Sequence, residues 1–114
     1  MIINKFEIWI SDLNPGKGTE PGKIRPVLIV QSDTLHQLGH ISTIVCPISS
    51  QKRGVSKLRI NVSQSEVNGL KKPSSVVIDQ IKAVDFSRLK EKIGTLEKEY
   101  HQEIKKALRL ILDI

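Results

Sequence analysis

The sequence is almost free of cysteine, since Cys46 is the only one among its 114 residues. A single thiol excludes an intramolecular disulfide and a metal site built on several cysteines. Cys46 lies within the apolar segment Ile44–Ile48, where an unpaired cysteine behaves as a small hydrophobic residue. We therefore expect Cys46 to be buried in the core of a protein from a reducing compartment.

Long apolar segments are also missing from the sequence. No stretch approaches the ~20 consecutive apolar residues that a membrane-spanning helix requires. The N-terminal segment Met1–Lys5 does not open an apolar core of the length found in signal peptides. Together these absences predict a cytoplasmic protein without a membrane partner.

Aromatic residues are scarce, at 4% of the chain. Modules that grip single-stranded nucleic acid by stacking need an aromatic platform, and this chain can hardly build one. Positive charge, by contrast, is abundant, because 18 Lys and Arg outnumber 12 Asp and Glu and give a net charge of +6. This balance favours a polyanion or an acidic protein as partner, bound through charge and hydrogen bonds.

The sequence does contain a series of short strand patterns followed by one helical pattern. We predict strands at Phe6–Leu13, Val27–Val30, Ser42–Ser49, Lys57–Val62, Ser75–Val84 and Lys92–Leu96, a helical turn at Asp33–Leu38, and a helix from Glu97 onward. Consecutive strands with short links favour an antiparallel, partly closed sheet with the helix packed against it. The length fits one mainly β domain spanning residues 1–114.

The point of greatest chemical interest is Arg25, which separates a polar, glycine-rich loop from the most apolar strand pattern. The loop covers residues 14–24, and the apolar run is Val27–Val30. Pro26 restricts Arg25 to an extended conformation and suits the first position of a strand. Arg25 is thus a candidate for binding an anion or phosphate beneath this loop. The alternative is that Arg25 is a solvated residue at the end of a strand.

Two further residues join Arg25 if the two most apolar strands pair. Antiparallel pairing of Val27–Val30 with Ile44–Ile48 would bring the start of the first strand beside the end of the second. Arg25 would then lie next to Ser49, with Glu20 of the glycine-rich loop above them. A guanidinium, a hydroxyl and a carboxylate would meet at one edge of the sheet.

Histidine-based chemistry is less well supported. His36 and His40 have the spacing of a helical metal-ligand pair, but Gly39 interrupts such a helix and a third ligand is not evident. We therefore predict no metal site. A two-histidine ribonuclease would need His36, His40 or His101 as its acid and base, yet His101 lies off the apolar stripe of the helix and is expected to be solvated.

At this point several segments, in the right order, resemble the MazF/PemK/Kid family of toxin ribonucleases from bacterial toxin–antitoxin systems. The segments are Glu7–Pro15, Gly18–Leu28 with its Arg-Pro pair, Val45–Ser50, Asp79–Leu89 and Ile93–Leu96. The resemblance covers the chain almost end to end.

This resemblance implies a small SH3-like antiparallel barrel of the CcdB/PemK type, with a C-terminal helix, acting as a homodimer. It also implies an mRNA interferase, which is a metal-independent and sequence-specific endoribonuclease that needs no cofactor. Single-stranded RNA would be cut to leave a 2′,3′-cyclic phosphate and a 5′-hydroxyl. The expected protein partner is a MazE-like antitoxin that binds through an acidic, disordered tail.

Carried over by position, the resemblance makes Arg25 the catalytic cation and Ser49 a hydroxyl donor to the phosphate. Glu20 becomes the base or a support for the loop. The residues expected to contact RNA are Lys17, Thr19, Ser50, Gln51, Lys52, Arg53, Gln80 and Lys82.

Two departures from the family pattern concern this site. Ser49 stands where the family usually has threonine, so the hydroxyl is kept but the methyl group that restrains its rotamer is lost. Pro21 replaces a frequent glutamine in the loop. Neither change removes a functional group that the reaction needs.

Two alternatives stay open. One is a non-enzymatic, CcdB-like toxin that binds gyrase, against which the Arg-Pro pair and the segment around Ser49 argue. The other is an inactive SH3-like binding module of the same ancestry. Retention of Arg25, Ser49 and Glu20 favours the enzyme over both.

Overall fold

The computed structural model describes residues 1–14, 18, 23–50 and 56–114. Within these ranges seven strands form one sheet, accompanied by two α-helices. The elements are β1 (Glu7–Asp12), β2 (Ile24–Ile29), α1 (Asp33–Gln37), β3 (Ser42–Ser49), β4 (Arg59–Val62), β5 (Ser74–Val77), β6 (Lys82–Asp85), β7 (Leu89–Thr95) and α2 (His101–Leu112). Short 3₁₀ turns occupy Ser56–Leu58, Ile78–Gln80, Phe86–Arg88 and Lys98–Tyr100.

The sheet is antiparallel throughout, with strand order β4-β5-β3-β2-β1-β7 and with β6 also paired to β3. The predicted mainly β fold with a C-terminal helix is therefore confirmed. Over the described residues the sheet is open, because its end strands β4 and β7 do not pair with each other. "Barrel" is accordingly a loose description of its curvature.

Strand β2 is buried on both faces, as its uninterrupted apolar sequence predicts. Leu28 and Val30 enter one hydrophobic cluster, whereas Val27 and Ile29 enter a second cluster on the opposite face. Alternation of side chains along a strand produces this division. A strand held from both sides provides a rigid stem for the residue at its beginning, Arg25.

Strand β3 pairs with two different strands along its outer edge. Its first half, Ser42–Val45, pairs with β6, and its end, Ile48–Ser49, pairs with β5. The prediction of one continuous strand over Ser75–Val84 is therefore wrong, because the 3₁₀ turn Ile78–Gln80 separates β5 from β6. The turn is anchored by Ile78, which is fully buried and lets the chain change its pairing position along β3.

Helix α2 covers the first cluster with the predicted apolar stripe. Ile104 and Ala107 are buried against it, and Leu108 packs beside them. The expectation that His101 is solvated is wrong, because its ring stacks on Phe6 at a centroid distance of 3.7 Å. His101 Nε2 also lies 2.9 Å from the Leu96 carbonyl oxygen. In the described part of the chain, neither helix has the length and apolarity needed to cross a membrane.

Candidate functional site

Pairing of β2 with β3 brings Arg25 and Ser49 to the same end of the sheet. The register pairs Val27 with Pro47 and Leu28 with Cys46, which confirms the antiparallel arrangement predicted from the two apolar runs. Arg25 precedes Val27 by as many residues as Ser49 follows Pro47. The two residues therefore lie at corresponding positions where their strands end.

Arg25 and Ser49 line a cavity of about 440 Å³, which we call the Arg25 cavity. Both residues are half-buried, so each can contact a ligand while its backbone stays within the sheet. The apolar part of the lining comes from Ile10, Pro26, Ile48, Leu70 and Ile93. The remaining described lining residues are Ser50, Gly69, Lys71, Lys72, Ser74 and Glu91. The cavity thus combines positive charge and hydroxyl donors with an apolar floor.

The strand that carries Arg25 is fixed at its start as well as along its length. Lys23 N–H donates to Asn14 Oδ1 at 2.6 Å, and Leu13 N–H donates to the Lys23 carbonyl oxygen at 2.9 Å. These hydrogen bonds join the two ends of the glycine-rich loop beside β1. Arg25, two residues after Lys23, is held through its pairing with Ser11 of β1, and the pairing of β2 with β3 begins two residues later, at Val27.

Lys71 and Lys72 line the cavity although they are not among the residues predicted to contact RNA. The loop that carries them approaches β7 at Gly69, where a Cβ atom would meet the backbone of Ile93. Gly69 also has a positive φ of 73°, which glycine adopts without the steric cost of other residues. The close approach of the two backbones holds both lysines beside the cavity.

Asn68 completes this attachment and is fully buried. Its amide nitrogen donates to the Ser63 carbonyl oxygen at 2.9 Å and to Glu97 Oε1 at 3.0 Å. Its Oδ1 accepts from the backbone N–H groups of Ser65 and Leu70. Burial raises the pKa of Glu97, but hydrogen bonds from its own backbone, Ser65 and Asn68 outweigh burial and leave the pKa below its usual value.

The other RNA-contact candidates differ in where they lie. Ser50 lines the Arg25 cavity and is exposed. Gln80 ends the 3₁₀ turn and Lys82 begins β6 opposite Val45, and neither is among the described residues that line the cavity. The predicted residues Lys17, Thr19, Glu20, Gln51, Lys52 and Arg53 lie outside the described residues.

The His36 side chain lies in a buried polar cluster and is not among the described residues that line the Arg25 cavity. Its side chain is 5% exposed, with Nδ1 3.0 Å from Asp33 Oδ1 and Nε2 2.8 Å from Thr43 Oγ1. Asp33 Oδ1 also accepts from the Lys5 N–H at 2.7 Å. The cluster ties the N-terminal segment and α1 to β3. Over the described ranges, three or more potential metal-ligating side chains do not gather in one place.

Comparison with known proteins identifies the family. Residues 4–112 match the family described as PemK-like, MazF-like toxin of type II toxin–antitoxin system. The chain is 31% identical over 113 residues to Endoribonuclease EndoA of Bacillus subtilis strain 168, covering 98% of this chain and 96% of that protein.

Solved structures give the same relationship. Mycobacterium tuberculosis toxin MazF-mt6 superimposes with a TM-score of 0.77 at 27% identity, over 95% of this chain and 97% of that one. An endoribonuclease from a mycobacterial species, in complex with its cognate antitoxin, has the same fold, with a TM-score of 0.78 at 16% identity over 98% and 96% of the two chains. The resemblance noted in the sequence is confirmed: the chain belongs to the PemK-like, MazF-like toxins of type II toxin–antitoxin systems.

Proposed function

We propose that this protein is the toxin of a toxin–antitoxin system and acts as a metal-independent, sequence-specific endoribonuclease on single-stranded RNA. The observation that carries the proposal is the meeting of Arg25 and Ser49 at one cavity, at the paired ends of β2 and β3. Membership of the family, and a relative named as an endoribonuclease, support the reaction class.

The proposed reaction is attack of a ribose 2′-hydroxyl on the adjacent phosphorus. The O2′–P bond forms and the P–O5′ bond breaks, which leaves a 2′,3′-cyclic phosphate. A base takes the 2′-hydroxyl proton, and the departing O5′ receives a proton to become a 5′-hydroxyl. Negative charge rises on the non-bridging phosphoryl oxygens, so groups that stabilise this charge lower the barrier.

Arg25 supplies that stabilisation in the proposal. Its planar guanidinium can donate two parallel hydrogen bonds to phosphoryl oxygens, and its backbone is fixed by pairing with Ser11 of β1. The Ser49 hydroxyl donates to the same phosphate. Glu20 takes the 2′-hydroxyl proton or supports the loop, and Arg25 is the candidate donor of the proton to O5′.

A cognate antitoxin is the proposed protein partner, bound as an acidic segment by a toxin homodimer. Support comes from a second cavity of about 640 Å³ between α2 and the start of β4, which we call the α2 groove. Three cations and three apolar side chains line it together with one carboxylate: Lys57, Lys106, Arg109, Ile60, Ala107, Leu110 and Glu103. Such a lining is complementary to an acidic, partly apolar peptide.

Replacement of Arg25 by alanine tests the proposal directly. We expect Arg25→Ala to lower the rate of RNA cleavage by at least ~10²–10³, the usual effect of losing one charge-stabilising donor. Arg25→Lys keeps the charge but loses the bidentate fork, and should also be impaired. Lys98→Ala removes a positive charge from an exposed residue and serves as the matched control with wild-type activity.

The assay uses purified protein, single-stranded RNA and excess EDTA, with circular dichroism to verify folding. Undiminished cleavage by Arg25→Ala, or a requirement for Mg²⁺, would contradict the proposed site. A wild-type protein that binds gyrase and leaves RNA intact would support the non-enzymatic alternative. Analytical ultracentrifugation of the same samples tests the homodimer.

A further inference from the structure

Glu91 is the feature of the Arg25 cavity that the proposed reaction does not use. It lies on β7 and is the one carboxylate among the described residues that line the cavity. In the described part of the chain it forms no ion pair within 4.0 Å, and its side chain is exposed. Its negative charge therefore faces a cavity that otherwise carries positive charge.

The strand register determines how far Glu91 is from the reacting groups. Glu91 pairs with Ile10 of β1, and Ile10 pairs with Pro26 of β2. One whole strand thus separates Glu91 from the strand of Arg25, which corresponds to roughly 10 Å between backbones. Ser49 lies one strand further away. With this spacing between backbones, a phosphate held between Arg25 and Ser49 is too far from the Glu91 carboxylate for a hydrogen bond.

The floor between these groups suits the face of a nucleobase. Ile10, Pro26 and Ile48 lie side by side on consecutive strands and line the cavity with Ile93. This surface is apolar and continuous with the wall at Glu91. A cavity of about 440 Å³ falls in the range that encloses small organic ligands.

Charge then fixes the orientation of a nucleotide. Phosphate oxygens are attracted to Arg25 and are repelled by Glu91. The base is therefore directed across the floor, with its polar edge toward the carboxylate. RNA-binding proteins commonly read unstacked bases on their Watson–Crick edges in this way.

We propose that Glu91 determines base specificity by selecting guanine at the nucleotide next to the scissile phosphate. An ionised carboxylate only accepts hydrogen bonds. Guanine alone presents two adjacent donors, N1–H and N2–H, on its Watson–Crick edge, and these match the two carboxylate oxygens. Uracil presents carbonyl oxygens on both sides of its single N–H, which Glu91 repels. This inference rests on the proposed ribonuclease function.

Mapping of the 5′ ends of cleaved RNA provides the first test. Wild-type protein should favour guanine at one position beside the cut, and Glu91→Gln should weaken that preference alone by roughly tenfold or more. Preferences at other positions should persist, and the loss of rate should be confined to RNA that carries guanine at this position. Glu99→Gln, at an exposed residue remote from the cavity lining, is the control.

A second test does not depend on activity. In an NMR titration, guanosine monophosphate should shift the methyl signals of Ile10, Ile48 and Ile93, whereas uridine monophosphate should not. Glu91→Gln should abolish this difference. If wild-type protein leaves RNA intact but discriminates between the nucleotides, the ribonuclease proposal fails, whereas recognition of guanine by Glu91 is supported on its own.

The converse results overturn the assignment of Glu91. An unchanged cleavage motif in Glu91→Gln, equal shifts with both nucleotides, or a wild-type motif without guanine beside the cut would each do so. A uniform loss of rate in Glu91→Gln of more than ~10² with an unchanged motif would instead point to a role in proton transfer.

Discussion

The hydroxyl of Ser49 is a single functional group at the candidate site, and its role can be isolated by substitution. Ser49→Ala should lower kcat by about 10² with little effect on KM, because its hydrogen bond is expected to strengthen as charge develops. Ser49→Thr should retain activity, since it keeps the hydroxyl and adds a methyl group that restricts the rotamer. Stopped-time cleavage of a labelled RNA measures both.

Ser87→Ala, at an exposed residue, is the control for loss of a hydroxyl. A wild-type rate in Ser49→Ala would move the role to Ser50, which lines the same cavity. Equal losses in Ser49→Ala and Ser49→Thr would show that the shape of the side chain matters more than its hydroxyl.

Glu7 links the N-terminal segment to β1 through a buried carboxylate that is 6% exposed. Its Oε1 accepts from Asn4 N–H at 2.9 Å and from Trp9 Nε1–H at 3.0 Å, and Oε2 lies 3.0 Å from Lys92 Nζ. Burial raises the pKa of Glu7, but these hydrogen bonds outweigh burial and hold the pKa below its usual value of 4.5.

A lowered pKa makes the contribution of Glu7 to stability dependent on pH. As the pH falls, the unfolded chain takes up the proton first, so this contribution is complete above about pH 4.5 and is lost as the pH falls through the folded-state pKa. Glu7→Gln should therefore cost about 1–3 kcal/mol at pH 7 and flatten the decline below pH 4.5. Urea unfolding from pH 7 to pH 3 measures this, with Glu99→Gln as control.

At the scale of elements, the attachment to β7 of the loop that carries Lys71 and Lys72 depends on Gly69. Gly69→Ala would place a Cβ against the Ile93 backbone in a conformation with φ of 73°. We expect a loss of about 3 kcal/mol or more, because both strain and a backbone clash oppose folding. Gly39→Ala is a matched control, since its φ is 80° but the space around it is open. It should cost only about 1–2 kcal/mol.

Thermal or urea unfolding compares the two variants. Similar losses in Gly69→Ala and Gly39→Ala would mean that the backbone conformation alone, and not the contact with β7, sets the cost. The contact with β7 would then contribute little to holding Lys71 and Lys72 beside the Arg25 cavity.

The central strands could be predicted from the sequence because their signals are local. The uninterrupted run Val27–Val30 predicts burial on both faces, and a similar run at Ile44–Ile48 provides its partner. From this pairing the proximity of Arg25 and Ser49 follows, as the register confirms. Local apolar patterns therefore suffice to predict this part of the candidate site.

The rest of the cavity depends on contacts between residues distant in sequence. Lys71 and Lys72 reach it because Gly69 packs their loop against β7 and Asn68 bonds to Glu97, just beyond the end of that strand. Glu91 occurs in a strand rich in charged residues, which by its sequence alone would be predicted to be solvated. Only the pairing of β7 with β1 brings Glu91 to the cavity. The break at Ile78–Gln80 likewise cannot be predicted from the local sequence, because the apolar pattern continues through it. The turn is required only by the change of pairing partner along β3.

For the whole molecule, the net charge of +6 predicts strongly salt-dependent RNA binding. The logarithm of the binding constant should fall linearly with the logarithm of salt concentration, because phosphate contacts release counterions. Lys71→Gln and Lys72→Gln should each reduce the slope by about 1 and weaken binding evenly across sequences. Fluorescence anisotropy on an Arg25→Ala background avoids cleavage, and Lys98→Gln is the control.

A slope unchanged by either lysine substitution would exclude these residues from phosphate contact. A change in sequence preference in place of a uniform loss would assign them to base recognition, which is the role proposed for Glu91.

The reactivity of the buried Cys46 thiol can report how often the middle of the sheet opens. Burial, with a smaller contribution from the negative charge of Asp79, raises the pKa of this thiol to about 12, and alkylating reagents attack the thiolate. Alkylation of Cys46 therefore requires β3 to separate from the strands that pair with it. Cys46 is paired with Leu28 in the strands that end at Ser49 and Arg25. The alkylation rate, followed by mass spectrometry on the unmutated protein, reports how often these strands open and whether bound RNA or an antitoxin keeps them closed.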